Sequence, residues 1–260
     1  MTFETIKTEK DGPAFVITFD RPEKRNAIST LVMDEMMEAA AEAEADSDVR
    51  GIIVTGGEDF FSAGADLNDA QALSSPAETV AYMRRWHRLC RAFEENAKAV
   101  IAAIEGFCMT GGCEFALACD VRVAGSGSSF AITSSRIGTV AGAGGTQRLP
   151  RIVGQAKALE IMFAAEPIEA EEAYRIGLIN RLTPKGGALA EAKEMVDLYA
   201  TRAPLSHAFV KRVVYNGMQM DLTSALEYES FVVTSIYETA DRKEGIGAFL
   251  EKRDAKFSGR

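Results

Sequence analysis

The sequence predicts an α/β fold, and three observations carry that prediction. Two short, wholly apolar runs, Gly51-Ile-Ile-Val-Thr55 and Ala99-Val-Ile-Ala-Ala-Ile104, have the composition of strands buried on both faces of a sheet. Each is followed by a glycine-bearing loop, 56–68 and 105–112, and then by a helical segment, so strand, loop and helix recur in that order. Beyond about residue 191 the strand signal fades and the chain reads as helix. A length of 260 residues with 47% hydrophobic content suits one well-packed domain with an appendage. The expected division is a core over 1–195 and a helical C-terminal region, an oligomerisation element or lid, over 196–260.

The elements follow in order. Residues 3–20 read as two strands joined at Asp11-Gly12-Pro13, with alternation in Phe15-Val-Ile-Thr-Phe19. An extended basic loop, Arg21-Pro-Glu-Lys-Arg-Asn-Ala27, comes next. Ser29 or Thr30 can cap a helix running to about Asp46, with Leu31, Met33, Met36, Met37 and Ala40 as its apolar face and Asp34 and Glu35 in its first turn. A long helix is expected over 76–96. Val121-Arg-Val-Ala124 and Leu178-Ile-Asn-Arg-Leu182 suggest two further strands, with a loop over 126–146 and a helix after Gly145 between them. The remaining helices are expected over 190–202, 204–217, 222–240 and 242–252.

Composition excludes several function classes. The net charge of −9 repels nucleic acid and acidic membrane surfaces, so an anionic ligand must be met by a local basic patch. No apolar run approaches the roughly 20 residues of a membrane span, and the first residues lack the basic-then-apolar pattern of a signal peptide. A cytoplasmic protein is expected. Cys90, Cys108, Cys113 and Cys119 read as buried reduced thiols, and with only His87 and His207 no zinc site or Ser-His-Asp triad has its residues, so no metal is expected. GxSxG and Walker motifs are absent, and Gly142-Ala-Gly-Gly-Thr-Gln147 lacks the third glycine of a dinucleotide fingerprint. Arg84, Arg88 and Arg91, at helical spacing, and Arg85 beside them read as a paired surface or subunit contact.

One carboxylate stands apart. In Gly106-Phe-Cys-Met-Thr-Gly-Gly-Cys-Glu-Phe-Ala-Leu-Ala-Cys119, Glu114 follows a glycine pair and is otherwise surrounded by apolar side chains. A Gly-Gly step opening a short helix leaves free N–H groups that suit a developing oxyanion, and Glu114 would sit one turn inside the same site. The competing reading is a structural acid satisfied by backbone amides or by Arg122.

Five ordered segments then resemble the crotonase, or enoyl-CoA hydratase/isomerase, superfamily. Arg21 to Ala27 resembles its coenzyme A loop, Phe60-Phe-Ser-Ala-Gly-Ala-Asp-Leu67 its first oxyanion segment, and Gly106 to Asp120 its second. Gly142-Ala-Gly-Gly-Thr-Gln-Arg-Leu149 is a further signature, and Ala248-Phe-Leu-Glu-Lys-Arg253 matches the C-terminal helix. The resemblance implies a crotonase-like spiral of repeated ββα units with a helical C-terminal region, assembled as homotrimers or hexamers, that binds an acyl-CoA thioester. It implies no cofactor, coenzyme A being part of the substrate. By motif match, the N–H groups of Ala65 and Gly111 hold the enolate oxygen and Glu114 is the acid/base. Lys24, Arg25 and Lys252 are candidate phosphate partners, Ala27 and Ala63 offer backbone groups to the adenine, and Phe249 a packing face. Asp66 and Leu67 fall in the same ligand-binding segment, Asp66 reading as a loop or N-cap acceptor.

The chain departs from the family at one telling place. Aligning Phe130-Ala-Ile-Thr-Ser-Ser-Arg-Ile-Gly138 puts Ser134 where hydratases of the family carry a second glutamate, and Ala141 replaces the usual proline. Serine can orient a water but cannot donate a proton as a carboxylic acid does near neutral pH. The leading expectation is hydration of a 2-enoyl-CoA to a 3-hydroxyacyl-CoA, with Glu114 as general acid/base and Ser134 holding water. Double-bond isomerisation, decarboxylation or dehydration through the same enolate are the alternatives, and a coenzyme A-binding protein with little catalysis is the alternative from another class.

Overall fold

The computed structural model describes residues 3–260. An antiparallel hairpin, β1 (Ile6–Asp11) and β2 (Ala14–Phe19), turns at Gly12, whose φ of +56° suits glycine. Strand β2 then pairs in parallel with β3 (Gly51–Thr55), and β3 with β4 (Ala99–Ile104). The parallel ladder continues through β6 (Val121–Gly125) to β9 (Arg181–Thr183), giving a six-stranded sheet in the order β1-β2-β3-β4-β6-β9. A second, three-stranded sheet joins β5 (Phe107–Met109), β7 (Ser129–Ala131) and β8 (Ile168–Glu169).

Both faces of the main sheet are covered, which explains its unbroken apolar strands. On one face Ile17, Ile52, Val54, Val100, Ala102 and Ile104 join a core that includes α1 (Thr30–Ala45) and α3 (Pro76–Glu94). On the other, Val16, Ile53, Ile101, Ala103 and Val123 pack under α8 (Ala188–Ala200), through Ala188, Ala192, Met195 and Val196. The buried Glu105 carboxylate accepts from the Ala188 N–H at 3.0 Å and so caps α8 from the end of β4. Helix α8 runs unbroken across position 195.

Ser29 caps α1, accepting from the Val32 N–H at 3.3 Å. The apolar face of this helix is Val32, Met33, Met36, Ala39, Ala40 and Ala43, whereas Leu31 is exposed, which corrects the expectation there. Glu35 is buried, and its carboxylate accepts from the Glu4 N–H at 2.7 Å, the Thr5 N–H at 2.9 Å and the Thr5 hydroxyl. Leu178 and Ile179 are buried ahead of β9, which starts only at Arg181.

The chain ends in α9 (Pro204–Gly217), α10 (Leu222–Tyr237) and α11 (Ala240–Glu251). Lys211 docks α9 onto the core: its ammonium lies 2.8 Å from Asp120 and donates to the carbonyls of Phe93 and Lys98 at 2.8 and 3.2 Å. Asp120 also accepts from the Val100 N–H at 2.7 Å and the Tyr215 hydroxyl at 3.0 Å. Burial raises the Asp120 carboxyl above its ordinary range despite these donors, so Lys211 neutralises a charge that is costly in place.

Candidate active site

Three loops are laced together at the ends of β3 and β4. The basic loop 21–27 passes through Arg25 and Asn26, both with positive φ (50° and 54°). Asn26 is buried: its amide nitrogen donates to the carbonyls of Gly56 at 2.9 Å and Phe61 at 3.2 Å, and its oxygen accepts from the Arg21 N–H at 3.1 Å. Parallel bridges pair Ile28 with Ala65 and Ser62 with Cys108. The Ile28 N–H donates to Gly64 at 2.7 Å, the Asp66 N–H to Ile28 at 3.0 Å and the Met109 N–H to Ser62 at 2.9 Å. The Ser62 hydroxyl donates to the Asn26 carbonyl at 2.7 Å and accepts from the Gly64 N–H at 3.1 Å.

This lacing brings Ala65 and Gly111 side by side. A Cβ on Gly111 would come within 3.0 Å of the Ala65 nitrogen and 2.8 Å of the Trp86 ring, and one on Gly64 within 3.1 Å of the Gly111 nitrogen. Only glycine allows such an approach. Among the described residues neither the Ala65 N–H nor the Gly111 N–H has a hydrogen-bond acceptor, although the N–H groups of Gly64, Asp66 and Thr110 are all used. Thr110, just before the short helix α4 (Gly111–Ala116), holds φ 44° and ψ −118°, a conformation seldom adopted by a β-branched residue.

Glu114 lies in α4 and is 4% exposed. Its carboxylate accepts a 2.8 Å hydrogen bond from the Gly145 N–H, which opens α5 (Gly145–Val153). Burial raises the Glu114 carboxyl above its ordinary range, while the Gly145 and Ala143 amides and the Arg148 charge oppose that shift without cancelling it. Arg122 does not pair with it: the guanidinium donates to the carbonyls of Leu178, Ala116 and Cys119.

The loop that delivers Gly145 is clamped from α3 by residues the sequence does not mark as functional. His87 Nε2 lies 2.9 Å from the Gly142 carbonyl, and the Cys90 thiol donates to the Ala143 carbonyl at 3.5 Å. Arg148 donates to Ala143 at 3.0 Å and forms a two-pronged ion pair with Glu94, both contacts 2.6 Å. Burial pushes the Cys90 thiol up to about 12, so it stays protonated as a donor.

Ala65, Gly111, Glu114 and Ser134 all line one cavity of about 640 Å³, together with Ala27, Ala63 and Leu67. Trp86, Tyr82, Met83 and Leu73 supply much of the apolar wall, and Glu114 is the only carboxylate among the lining residues. Ser134 begins a 3-10 turn over Ser134–Ile137. Asp66 caps α2 (Leu67–Gln71) by accepting from the Asn68 N–H at 3.1 Å, and pairs with Arg21 at 3.1 Å. Burial alone would raise the Asp66 carboxyl, but these donors hold it below its ordinary range. Lys24 and Arg25 are exposed on the loop beside the cavity, whereas Phe249 and Lys252 stand on α11 and at its end and line no part of it. Among the described residues, no group of three or more His, Cys, Asp or Glu side chains is placed to hold a metal ion.

The model of the enoyl-CoA hydratase/isomerase family matches residues 9–260. The chain belongs to this family. It is 37% identical over 254 residues to a short-chain-enoyl-CoA hydratase of Clostridium acetobutylicum, with 97% of each chain covered. It is 36% identical over 258 residues to a crotonyl-CoA hydratase of Syntrophomonas wolfei, covering 99% of each. Among solved structures, an enoyl-CoA hydratase from Bacillus anthracis superposes with a TM-score of 0.93 at 30% identity, covering 99% of this chain and 100% of that one. DspI of Pseudomonas aeruginosa superposes with a TM-score of 0.94 at 32% identity, covering 99% and 98%. The architecture is thus the crotonase fold, with its C-terminal helical region.

Proposed function

We propose that this enzyme hydrates a 2-enoyl-CoA to the 3-hydroxyacyl-CoA. The observation that carries the reading is the convergence of two partnerless amides, Ala65 and Gly111, and one buried carboxylate, Glu114, on a single apolar cavity. Ionised Glu114 accepts a proton from water as the water oxygen bonds to C3. The π electrons pass through C2 onto the thioester oxygen, where the two N–H groups meet the charge. Glu114 then returns a proton to C2, the enolate collapses, and one molecule of water has been added. With no second acid in the cavity, one carboxylate serves both transfers, and the Ser134 hydroxyl orients the water.

Relatives that carry hydratase names over nearly their whole length favour this outcome over isomerisation. Mass spectrometry of products from a panel of acyl-CoAs tests it. A gain of one water upholds the reading, unchanged mass with a moved double bond makes the protein an isomerase, and no reaction on any thioester sinks catalysis. The reading includes coenzyme A bound as part of the substrate with no separate cofactor, its phosphates met by Lys24, Arg25 and Lys252, and a cytoplasmic location. Among the described residues no helix is long and apolar enough to cross a membrane.

The reading also includes assembly into trimers or hexamers through the C-terminal region. Phe231, Leu222 and Phe249 are each more than 70% exposed there, at 74%, 74% and 83%. Apolar surface of this extent on two successive helices, α10 and α11, favours a partner. Light scattering of the purified protein that returned a monomer would overturn it.

A further inference from the structure

A second cavity, of about 560 Å³, lies behind the clamp and shares no lining residue with the first. Four arginines line it, Arg91, Arg122, Arg148 and Arg151, against two carboxylates, Glu94 and Asp120. Both carboxylates are already engaged. Glu94 is held by the two-pronged contact from Arg148, and Asp120 by Lys211, the Tyr215 hydroxyl and the Val100 N–H. The cavity therefore carries an excess of positive charge in a chain whose net charge is −9.

Arg122 gives that excess its meaning. It is 6% exposed, and its guanidinium donates only to main-chain carbonyls, Nε to Leu178 at 2.7 Å and Nη1 to Cys119 and Ala116 at 2.8 and 3.4 Å. Among the described residues no carboxylate pairs with it. That is uncommon for a buried arginine, because a charge taken out of water needs a counter-charge. Burial pulls the guanidinium below its ordinary range. Nη2 has no partner among the described residues and yet is not enclosed by protein, so it opens onto the cavity that Arg122 lines. Carbonyl dipoles at the end of α4 compensate part of the charge, and an anion would compensate the rest.

The ligand class follows from the other walls. Arg148 and Arg151 are three residues apart on α5, on one side of the helix. Arg151 donates through Nη1 to the Gln147 carbonyl at 2.8 Å, which leaves Nε and Nη2 available. Arg91 makes only a surface pair with Glu95 at 3.4 Å. Planar guanidinium groups suit the oxygens of a carboxylate or a phosphate. Leu117, Ile152, Val214 and Met218 add apolar wall, so an apolar body fits behind the anionic head. The cavity also touches the machinery of the first: Arg148 holds the Ala143 carbonyl at 3.0 Å, two residues before the Gly145 amide that orients Glu114. An anion that shares Arg148 competes with Glu94 and slackens this segment.

We propose that this cavity is a second site, which binds a small organic anion, a carboxylate or phosphate on a compact apolar body, through Arg122 and Arg151. Its occupancy lowers turnover by drawing Arg148 away from Glu94. The turnover half rests on the hydratase reading, whereas the binding half does not need it.

Calorimetric titration of wild type, Arg151→Ala and Arg122→Lys with hexyl phosphate, hexanoate and hexanol tests the binding. Wild type is expected to bind at least one of the two anions roughly tenfold or more tighter than hexanol, the value of a charge-assisted contact, and the tighter anion names the head group. Arg151 is exposed, so Arg151→Ala tests the site without disturbing the core, and it should weaken anion binding by roughly tenfold. Arg122→Lys keeps the charge but loses the fork and should weaken binding too, with its fold checked by circular dichroism. Saturating anion should lower kcat on crotonyl-CoA severalfold in wild type, and less in Arg151→Ala. Equal binding of hexanol, no binding of either anion, as when a second copy covers this face, or binding untouched in Arg151→Ala would each overturn the site. Arginine-dependent binding with kcat unchanged overturns the coupling. Arginine-dependent binding without turnover of any thioester sinks the hydratase reading alone.

Discussion

The Gly145 N–H donates to Glu114 at 2.8 Å, and any other residue at position 145 would displace that carboxylate, because a Cβ there would lie 2.8 Å from Glu114 Cγ and 2.9 Å from its Oε1. One backbone amide thus orients the carboxylate, and the glycine that supplies it also makes the space the carboxylate occupies. Gly145→Ala is expected to rotate Glu114 away from the cavity and lower kcat on the order of 10²-fold, with the overall fold retained by circular dichroism. Turnover within threefold of wild type would show that the amide contact is incidental.

Glu114→Gln keeps the shape and an acceptor for Gly145 but cannot move a proton. Turnover should fall by roughly 10²–10⁴-fold, followed by loss of enoyl-thioester absorbance with crotonyl-CoA. Retained activity would make Glu114 a structural acid.

The same residue sets a pH signature. Burial raises its folded-state affinity for a proton above that of an unfolded glutamate, so the folded protein binds more protons between the two values. Stability contributed by this group therefore falls as pH rises from the ordinary value of 4.5 to the raised folded value, and is constant above it. At neutral pH Glu114→Gln should melt at the same temperature as wild type or higher, with the difference vanishing below the ordinary value. For activity the sign is opposite, since the base must be ionised: the acid limb of kcat/KM should lie above 4.5. Calorimetric melts and rate profiles over pH check both, and an acid limb at or below the ordinary carboxylate range would contradict the burial argument.

Ser134→Glu restores an acid to the cavity at the position where family hydratases carry one. Hydration of crotonyl-CoA should rise, by up to on the order of 10²-fold if the new carboxyl reaches the reacting carbon. No gain at any pH would mean that Ser134 is not what limits hydration of simple chains.

Lys211→Met leaves the half-buried Asp120 without its cation. The expected loss is about 3 kcal/mol of stability, read from urea unfolding, with α9 becoming the first segment to exchange amide hydrogens. A change below about 0.5 kcal/mol, the range typical of an exposed pair, would show that α9 is held by packing alone.

How much of this was legible in the sequence depends on the range of the interaction. Strands β3 and β4 are continuous apolar runs because both faces of the sheet are covered, and α9 begins at a proline and ends at a glycine, so local signals place them. The second sheet has strands of only two or three residues, too short for any periodicity to show. On α1 the apolar stripe is rotated from its expected face because Glu35, a charged residue, is spent on the backbone of Glu4 and Thr5, just ahead of the first strand, and turns inward. The isolation of Glu114 could be seen from its neighbours in the chain. Its partner Gly145 is 31 residues away, and the His87, Cys90 and Arg148–Glu94 clamp joins positions 53 to 55 apart, which no local pattern encodes.

Asn26 gives the site a mechanical property. Its side chain ties the loop beside the cavity mouth to the exits of β3 and the Phe61 carbonyl, and the Ile28–Ala65 bridge carries that tie to one of the two amides. On the proposed reading, in which Lys24 and Arg25 meet the coenzyme A phosphates, a grip at the nucleotide end bears on the same strip of backbone that positions the two amides. A thioester truncated to pantetheine would leave that strip slack, and its penalty should appear in kcat as well as in KM, since distant attachment here is part of aiming the amides.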